Sequence, residues 1–151
     1  MPDRTLPRWG NDHLYTMNNK ETPGKALHIK KFIPGIAWFF LILILVCIPG
    51  YDLPKVDKWL IEINFDKMVH VGLFTVLAYL FMLPLSKSSL PLTEKWHYAV
   101  KITLAAAVYG LITELLQKFY IPGRSFNLTD FAADAFGGII ALVYCKIRLF
   151  R

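Results

Sequence analysis

Cysteine is nearly missing from this chain: its 151 residues include two, Cys47 and Cys145. Neither belongs to a CxxC or other short-spaced pair, which excludes a disulfide framework and cysteine-based zinc or redox motifs. Both read as buried apolar residues. Charge is scarce too. Asp, Glu, Lys and Arg make up 19% of the chain against 55% hydrophobic residues, and the mean hydropathy is +0.41. Such a composition excludes an ordinary soluble domain. Residues 1–31 contain no apolar run, so they hold no h-region of a secretory signal, and no small-x-small cleavage motif follows the first apolar block. No internal repeat or low-complexity tract occurs.

What is present are four apolar blocks separated by short polar joints, at residues 32–48, 68–85, 97–117 and 130–144. The first is 17 residues long and closes on Pro49-Gly50. As a helix it rises about 25 Å, the short end of what a bilayer core requires. The expectation is an all-α integral membrane protein, a bundle of four transmembrane helices in one domain over residues 32–151. Residues 1–31, broken by Pro2, Pro7, Gly10, Pro23 and Gly24, read as a polar, disordered cytoplasmic tail. Within the joint after the first block, Val56–Ile63 reads as a short interfacial helix with Trp59 at headgroup level.

The formal charge of +6 would suggest nucleic acid in a soluble protein; here its placement speaks of topology. Twelve of the 17 Lys and Arg residues lie in the N-terminal tail, in the joint after the second block together with Lys101 at the start of the third, and in the C-terminal end. The positive-inside rule then puts both termini in the cytoplasm of a membrane crossed several times. Reporter fusions at the C-terminus and after Leu85 will read as cytoplasmic and a fusion after Tyr120 as external. An external C-terminus would overturn this topology.

Ionisable residues inside a span cost roughly 2.5–3.5 kcal/mol each on insertion scales, so they face a protein interior or a watery cavity. This chain gathers several at the ends of its blocks. At 100° per residue, Asp130, Asp134, Ala133, Gly137, Gly138 and Ala141 share one face of the fourth helix. Thr103, Ala106, Ala107, Gly110, Glu114 and Gln117 share one face of the third, with Leu104, Val108, Leu111 and Leu115 opposite. Asp66 and His70 are i,i+4 neighbours where the second begins. These small or polar faces are expected to meet, with their charges at one outer end around one outward-opening cavity, Arg124 touching at least one acid.

Three uses of such a cluster stand open. It can be an ionic tie that fastens the loop between the third and fourth helices. It can be a ligand-binding or catalytic pocket. It can be a metal site, with His70, Glu114 and Asp134 as the chelating set, but one histidine with scattered acids is not a recognised ligand spacing, so neither metal nor cofactor is expected.

At these same residues the chain resembles the VanZ-like family of small bacterial membrane proteins. The matching pieces are D-K-x-x-H at Asp66, Lys67 and His70, E-x-x-Q at Glu114 and Gln117, and R-S at Arg124 and Ser125. D-x-x-x-D-x-x-G-G follows at Asp130, Asp134, Gly137 and Gly138. The resemblance covers roughly residues 32–150, with an acid at Asp134 where the family usually carries asparagine. It implies a small helical bundle in the bacterial cytoplasmic (inner) membrane, linked through the family's founding member to resistance to the glycopeptide teicoplanin.

Two functions follow as expectations. In the first, a non-catalytic membrane component binds a cell-envelope lipid, a glycopeptide-related ligand or a partner through Arg124, Gln117, Ser125, Asp130 and Asp134. In the second, an intramembrane enzyme acts on a lipid-linked envelope substrate, with His70 as general base, Asp66 orienting it and Glu114 a further catalytic candidate. No serine or cysteine nucleophile is placed by a motif, which favours binding. The lipid bilayer is the expected environment, and no nucleic-acid partner is expected. Four spans without a broken-helix repeat argue against a transporter.

Overall fold

The structure, a computed structural model, describes residues 29–49 and 64–150. Within them the chain forms four α-helices and no strand: α1 (Ile33–Val46), α2 (Phe65–Ser86), α3 (Leu92–Tyr120) and α4 (Leu128–Arg148). A 3-10 turn, Ile29–Phe32, leads into α1, whose first turn carries a proline at a position where no intrahelical donor is needed. Counting that turn, the helical segments run 18, 22, 29 and 21 residues, and each is long and apolar enough to cross a membrane. The protein is therefore an all-α, multi-pass membrane protein. The tail before Ile29 and the interfacial helix expected at Val56–Ile63 lie outside the described residues.

α2, α3 and α4 extend past the apolar blocks that announce them, whereas α1 ends two residues short of its own at residue 48. α3 begins at Leu92, directly after Pro91, rather than near His97. Its 29 residues rise about 44 Å, well beyond a hydrocarbon core of about 30 Å. The polar first turns, with Glu94, Lys95 and the partly buried Trp96, continue the helix beyond the apolar stretch because nothing in them breaks it. Lys146 of α4 lies over the Trp96 ring at 5.0 Å.

Packing follows the small-residue faces. α4 buries Ala133, Asp134, Gly137, Gly138, Ala141 and Cys145, while α3 buries Ala99, Thr103, Ala106, Tyr109, Gly110, Thr113, Glu114 and Gln117. Leu104, Val108, Leu111 and Leu115 face outward, as the helical wheel requires of a lipid-facing side. α2 and α4 form the most extensive interface of the bundle. It closes at Gly137, where a Cβ would sit 2.5 Å from the Val71 carbonyl oxygen and 3.0 Å from the Thr75 nitrogen. Only a residue without a side chain lets two backbones approach this far. Thr75 Oγ1 donates to the Gly137 carbonyl across the same contact at 3.0 Å.

α1 packs mainly on α2 and runs antiparallel to it. Trp38 Nε1 donates to the Leu73 carbonyl at 3.0 Å, and Tyr109 Oη of α3 donates to the Phe39 carbonyl at 2.9 Å. The Phe39 and Tyr109 rings stack with centroids 4.1 Å apart. Below this stack a cavity of about 210 Å³ opens among α1, α2 and α3, lined by Phe39, Leu77, Phe81, Ile102 and Tyr109, among others. Cys47 and Cys145 are both free thiols; Cys145 is fully buried as expected, whereas Cys47, just past the end of α1, is exposed, which corrects the expectation of two buried cysteines.

Candidate functional site

The α3–α4 connection sets the site. Ile121-Pro122-Gly123-Arg124 is a tight turn closed by Arg124 N–H on the Ile121 carbonyl at 3.3 Å. Gly123 takes φ 75°, a left-handed value that glycine adopts without the steric cost a side chain would bring. Four residues after Gly123, Asn127 caps α4, its side-chain oxygen accepting from Thr129 N–H at 3.0 Å and from Thr129 Oγ1 at 2.7 Å. The Asn127 backbone N–H in turn donates to Glu114 Oε2 on α3 at 2.9 Å. The loop is thus fastened to α3 by a carboxylate with no solvent exposure at all.

Directly inward, Asp134 of α4 meets His70 of α2, with Oδ1 2.9 Å from Nδ1. With the carboxylate ionised, Nδ1–H donates and Nε2 remains available. Asp134 is fully buried, and the His70 side chain is 17% exposed. Gly110 makes room for this acid: a Cβ on it would lie 2.8 Å from both Cβ and Oδ2 of Asp134. His70, Glu114 and Asp134 each present a ligand-type atom, and these atoms all lie within 4.8 Å of one another. Three helices therefore converge on one imidazole and two carboxylates.

Around this centre the other expected residues divide. Lys67 pairs with Asp66 at 3.0 Å and with Asp130 at 3.3 Å, bridging α2 to the start of α4. Asp66 itself is turned outward, its side chain 58% exposed, and the acid on the His70 ring is Asp134. The sequence expectation that Asp66 orients His70 is corrected on that point. An i,i+4 spacing makes two side chains neighbours on a helix surface, but the buried α4 face supplies a nearer and drier partner. Gln117 is buried one turn beyond Glu114, whereas Ser125 lies exposed in the loop. Among the described residues Arg124 forms no ion pair with the acids, contrary to the sequence expectation; its Nε is buried without a hydrogen-bond partner. The same is true of Glu114 Oε1 and Asp134 Oδ2, which accept no hydrogen bond among the described residues, whereas the buried Asp130 Oδ1 is the oxygen that meets Lys67 Nζ.

Three contributors were not singled out as site residues from sequence: Lys67 as the bridging cation, Asn127 as the donor to Glu114, and Gly110 as the seat of Asp134. Asn127 was legible, because Asn-x-Thr-Asp before an apolar run is a helix-start signal. Lys67 stood within the D-K-x-x-H piece. Gly110 carried no signal beyond its place on the small-residue face.

Fold and site together define a class: a small polytopic membrane protein with a histidine–carboxylate centre buried where three of its four helices converge. Within that class the chain belongs to the VanZ/LLP1 family, whose model matches residues 15–150. The match begins well inside the polar N-terminal stretch, ahead of the boundary at residue 32 that the resemblance suggested. No curated protein and no solved structure matches the chain.

Proposed function

We propose that this VanZ-like protein receives the polar group of a cell-envelope ligand at the His70–Glu114–Asp134 end of the bundle, and that occupancy of this end changes the response of the cell to glycopeptide antibiotics such as teicoplanin. The observation that carries the reading is the set of buried polar atoms without partners among the described residues: Glu114 Oε1, Asp134 Oδ2 and Arg124 Nε. A buried acceptor left without a donor costs about 1–3 kcal/mol, so a cluster kept only to fasten a loop would be expected to satisfy its own groups. Two acceptors and one guanidinium donor suit a ligand bearing hydroxyl or amino groups beside an anionic group, the chemistry of an envelope lipid headgroup. Both termini in the cytoplasm, as the basic residues suggest, would turn this end outward from the inner membrane.

A second reading rests on the 2.9 Å contact of His70 with Asp134. An imidazole held by a carboxylate at Nδ1 is oriented for proton transfer at Nε2, which suits an intramembrane enzyme acting on a lipid-linked substrate.

One set of variants tests both. In a bacterial host challenged with teicoplanin, Arg124→Lys and Glu114→Gln are scored for antibiotic response and, separately, for folded yield in detergent. The expected result is that Arg124→Lys folds at wild-type yield yet loses the response, because lysine does not reproduce the planar guanidinium fork. Full response from both variants whenever they fold would sink the binding reading. Turnover of envelope lipids by the purified protein, abolished in His70→Ala, would establish the enzymatic one instead.

A further inference from the structure

We infer that His70, Glu114 and Asp134 form a binding site for a single divalent metal ion. The inference concerns the buried centre alone and stands whether or not the antibiotic reading does. In the sequence a metal is only one open use of the cluster, since the one imidazole and two acids come from three different helices at spacings of 44 and 20 residues that match no ligand motif. The fold removes that objection by bringing one ligand atom from each within 4.8 Å of the others. Metal–ligand bonds of about 2.1 Å hold ligand atoms about 3–4 Å apart, so the centre needs only a small contraction to close on an ion. With its proton moved to Nε2, His70 offers the Nδ1 lone pair to the ion, and at 2.9 Å from Asp134 Oδ1 that nitrogen already has the separation of adjacent ligands around an octahedral ion.

Charge makes the second, independent case. Glu114 and Asp134 have no exposed surface, and each keeps one oxygen without a partner, Oε1 and Oδ2. Buried carboxylates are stable when paired or when they coordinate a metal. The nearby cations are otherwise placed. Lys67 is engaged by Asp66 and Asp130, and Arg124 forms no ion pair with either buried acid among the described residues. A neutral imidazole and two carboxylates carry a charge of −2, which a divalent ion cancels within the three ligands themselves. One nitrogen and two carboxylate oxygens suit a first-row ion such as Mn²⁺, Fe²⁺ or Zn²⁺ over soft, thiolate-seeking ions. Gly110 contributes by absence: a methyl group there would push on the Asp134 carboxylate at 2.8 Å.

The test uses the full-length, tag-free protein in detergent, stripped with a chelator and titrated with Mn²⁺ while the free ion is read by electron paramagnetic resonance. The expected result is one ion bound per chain, displaced stoichiometrically by Zn²⁺. His70→Gln and Glu114→Gln are each expected to weaken binding at least about tenfold. Glu94→Gln, an exposed acid at the start of α3, will leave it unchanged. Where Glu114→Gln does not fold, the wild-type spectrum still decides, because bound Mn²⁺ must show coupling to an imidazole nitrogen that disappears in His70→Gln. Folded wild-type protein that binds neither ion stoichiometrically overturns the site, as does unchanged affinity in the folded variants. No antibiotic or lipid enters this measurement, so its failure is distinct from a failure of the proposed function.

Discussion

Gly137→Ala will lower the stability of the bundle in detergent by about 1–3 kcal/mol, the range for overpacking a well-filled interface. The added methyl group meets the Val71 carbonyl oxygen at 2.5 Å and the Thr75 nitrogen at 3.0 Å, both of them backbone atoms. A side chain can swing aside, but a helix backbone moves only as a body. α2 and α4 must therefore separate along their length, and the Thr75 hydroxyl loses the Gly137 carbonyl it holds at 3.0 Å. Gly72→Ala is the matched comparison, since nothing lies within 4 Å of a Cβ there. On the helix side alone it gains up to about 1 kcal/mol from the better propensity of alanine. Thermal unfolding followed by helical circular dichroism separates the two. Equal melting temperatures for Gly137→Ala and Gly72→Ala would show that α2 and α4 do not meet at Gly137.

The second large effect is at His70. Removing the imidazole in His70→Ala leaves Asp134 with no hydrogen-bonding partner among the described residues, in a place with no exposure. Breaking one side of a buried charged pair costs about 3–5 kcal/mol, much of it the burden of the charge left behind. The double variant His70→Ala/Asp134→Asn will recover a large part of that loss, because a neutral amide does not carry the desolvation cost of an anion. Steric trapping or chaotrope unfolding of the four proteins closes the cycle. Strictly additive losses would mean that the two side chains do not interact. The same double variant removes two of the three inferred metal ligands, so stability is recovered while ion binding is not.

Sequence periodicity carried most of the fold. The polar and small faces of α3 and α4 were readable because a membrane helix has few polar residues, and each one therefore marks an inward direction. The helix ends were less legible. Leu92–Trp96 is polar enough to read as a joint, yet it lacks a breaker after Pro91 and so stays helical. The site was legible as a group of residues but not as a set of contacts. His70 was paired with Asp66 on helical spacing, but its partner is Asp134, 64 positions away, because the Gly137 and Gly110 approaches draw three helices together. Arg124 was expected beside an acid; Lys67 holds that position against Asp130 instead. Both differences come from tertiary distance, which periodicity does not encode.

Glu114 divides its two oxygens between two worlds. Oε2 grips the backbone of the loop at Asn127, and Oε1 is turned to no hydrogen-bonding group among the described residues. A hydrogen bond to an anion is roughly twice as strong as one to a neutral acceptor. Whatever draws negative charge from Oε1, be it a cation, a proton or a ligand donor, therefore also slackens the grip of Oε2. The turn at Pro122-Gly123 and the cap of α4 lie on the far side of that grip. Events in the dry interior thus have a lever on the surface, and amide exchange at Asn127 would register them without any view into the core.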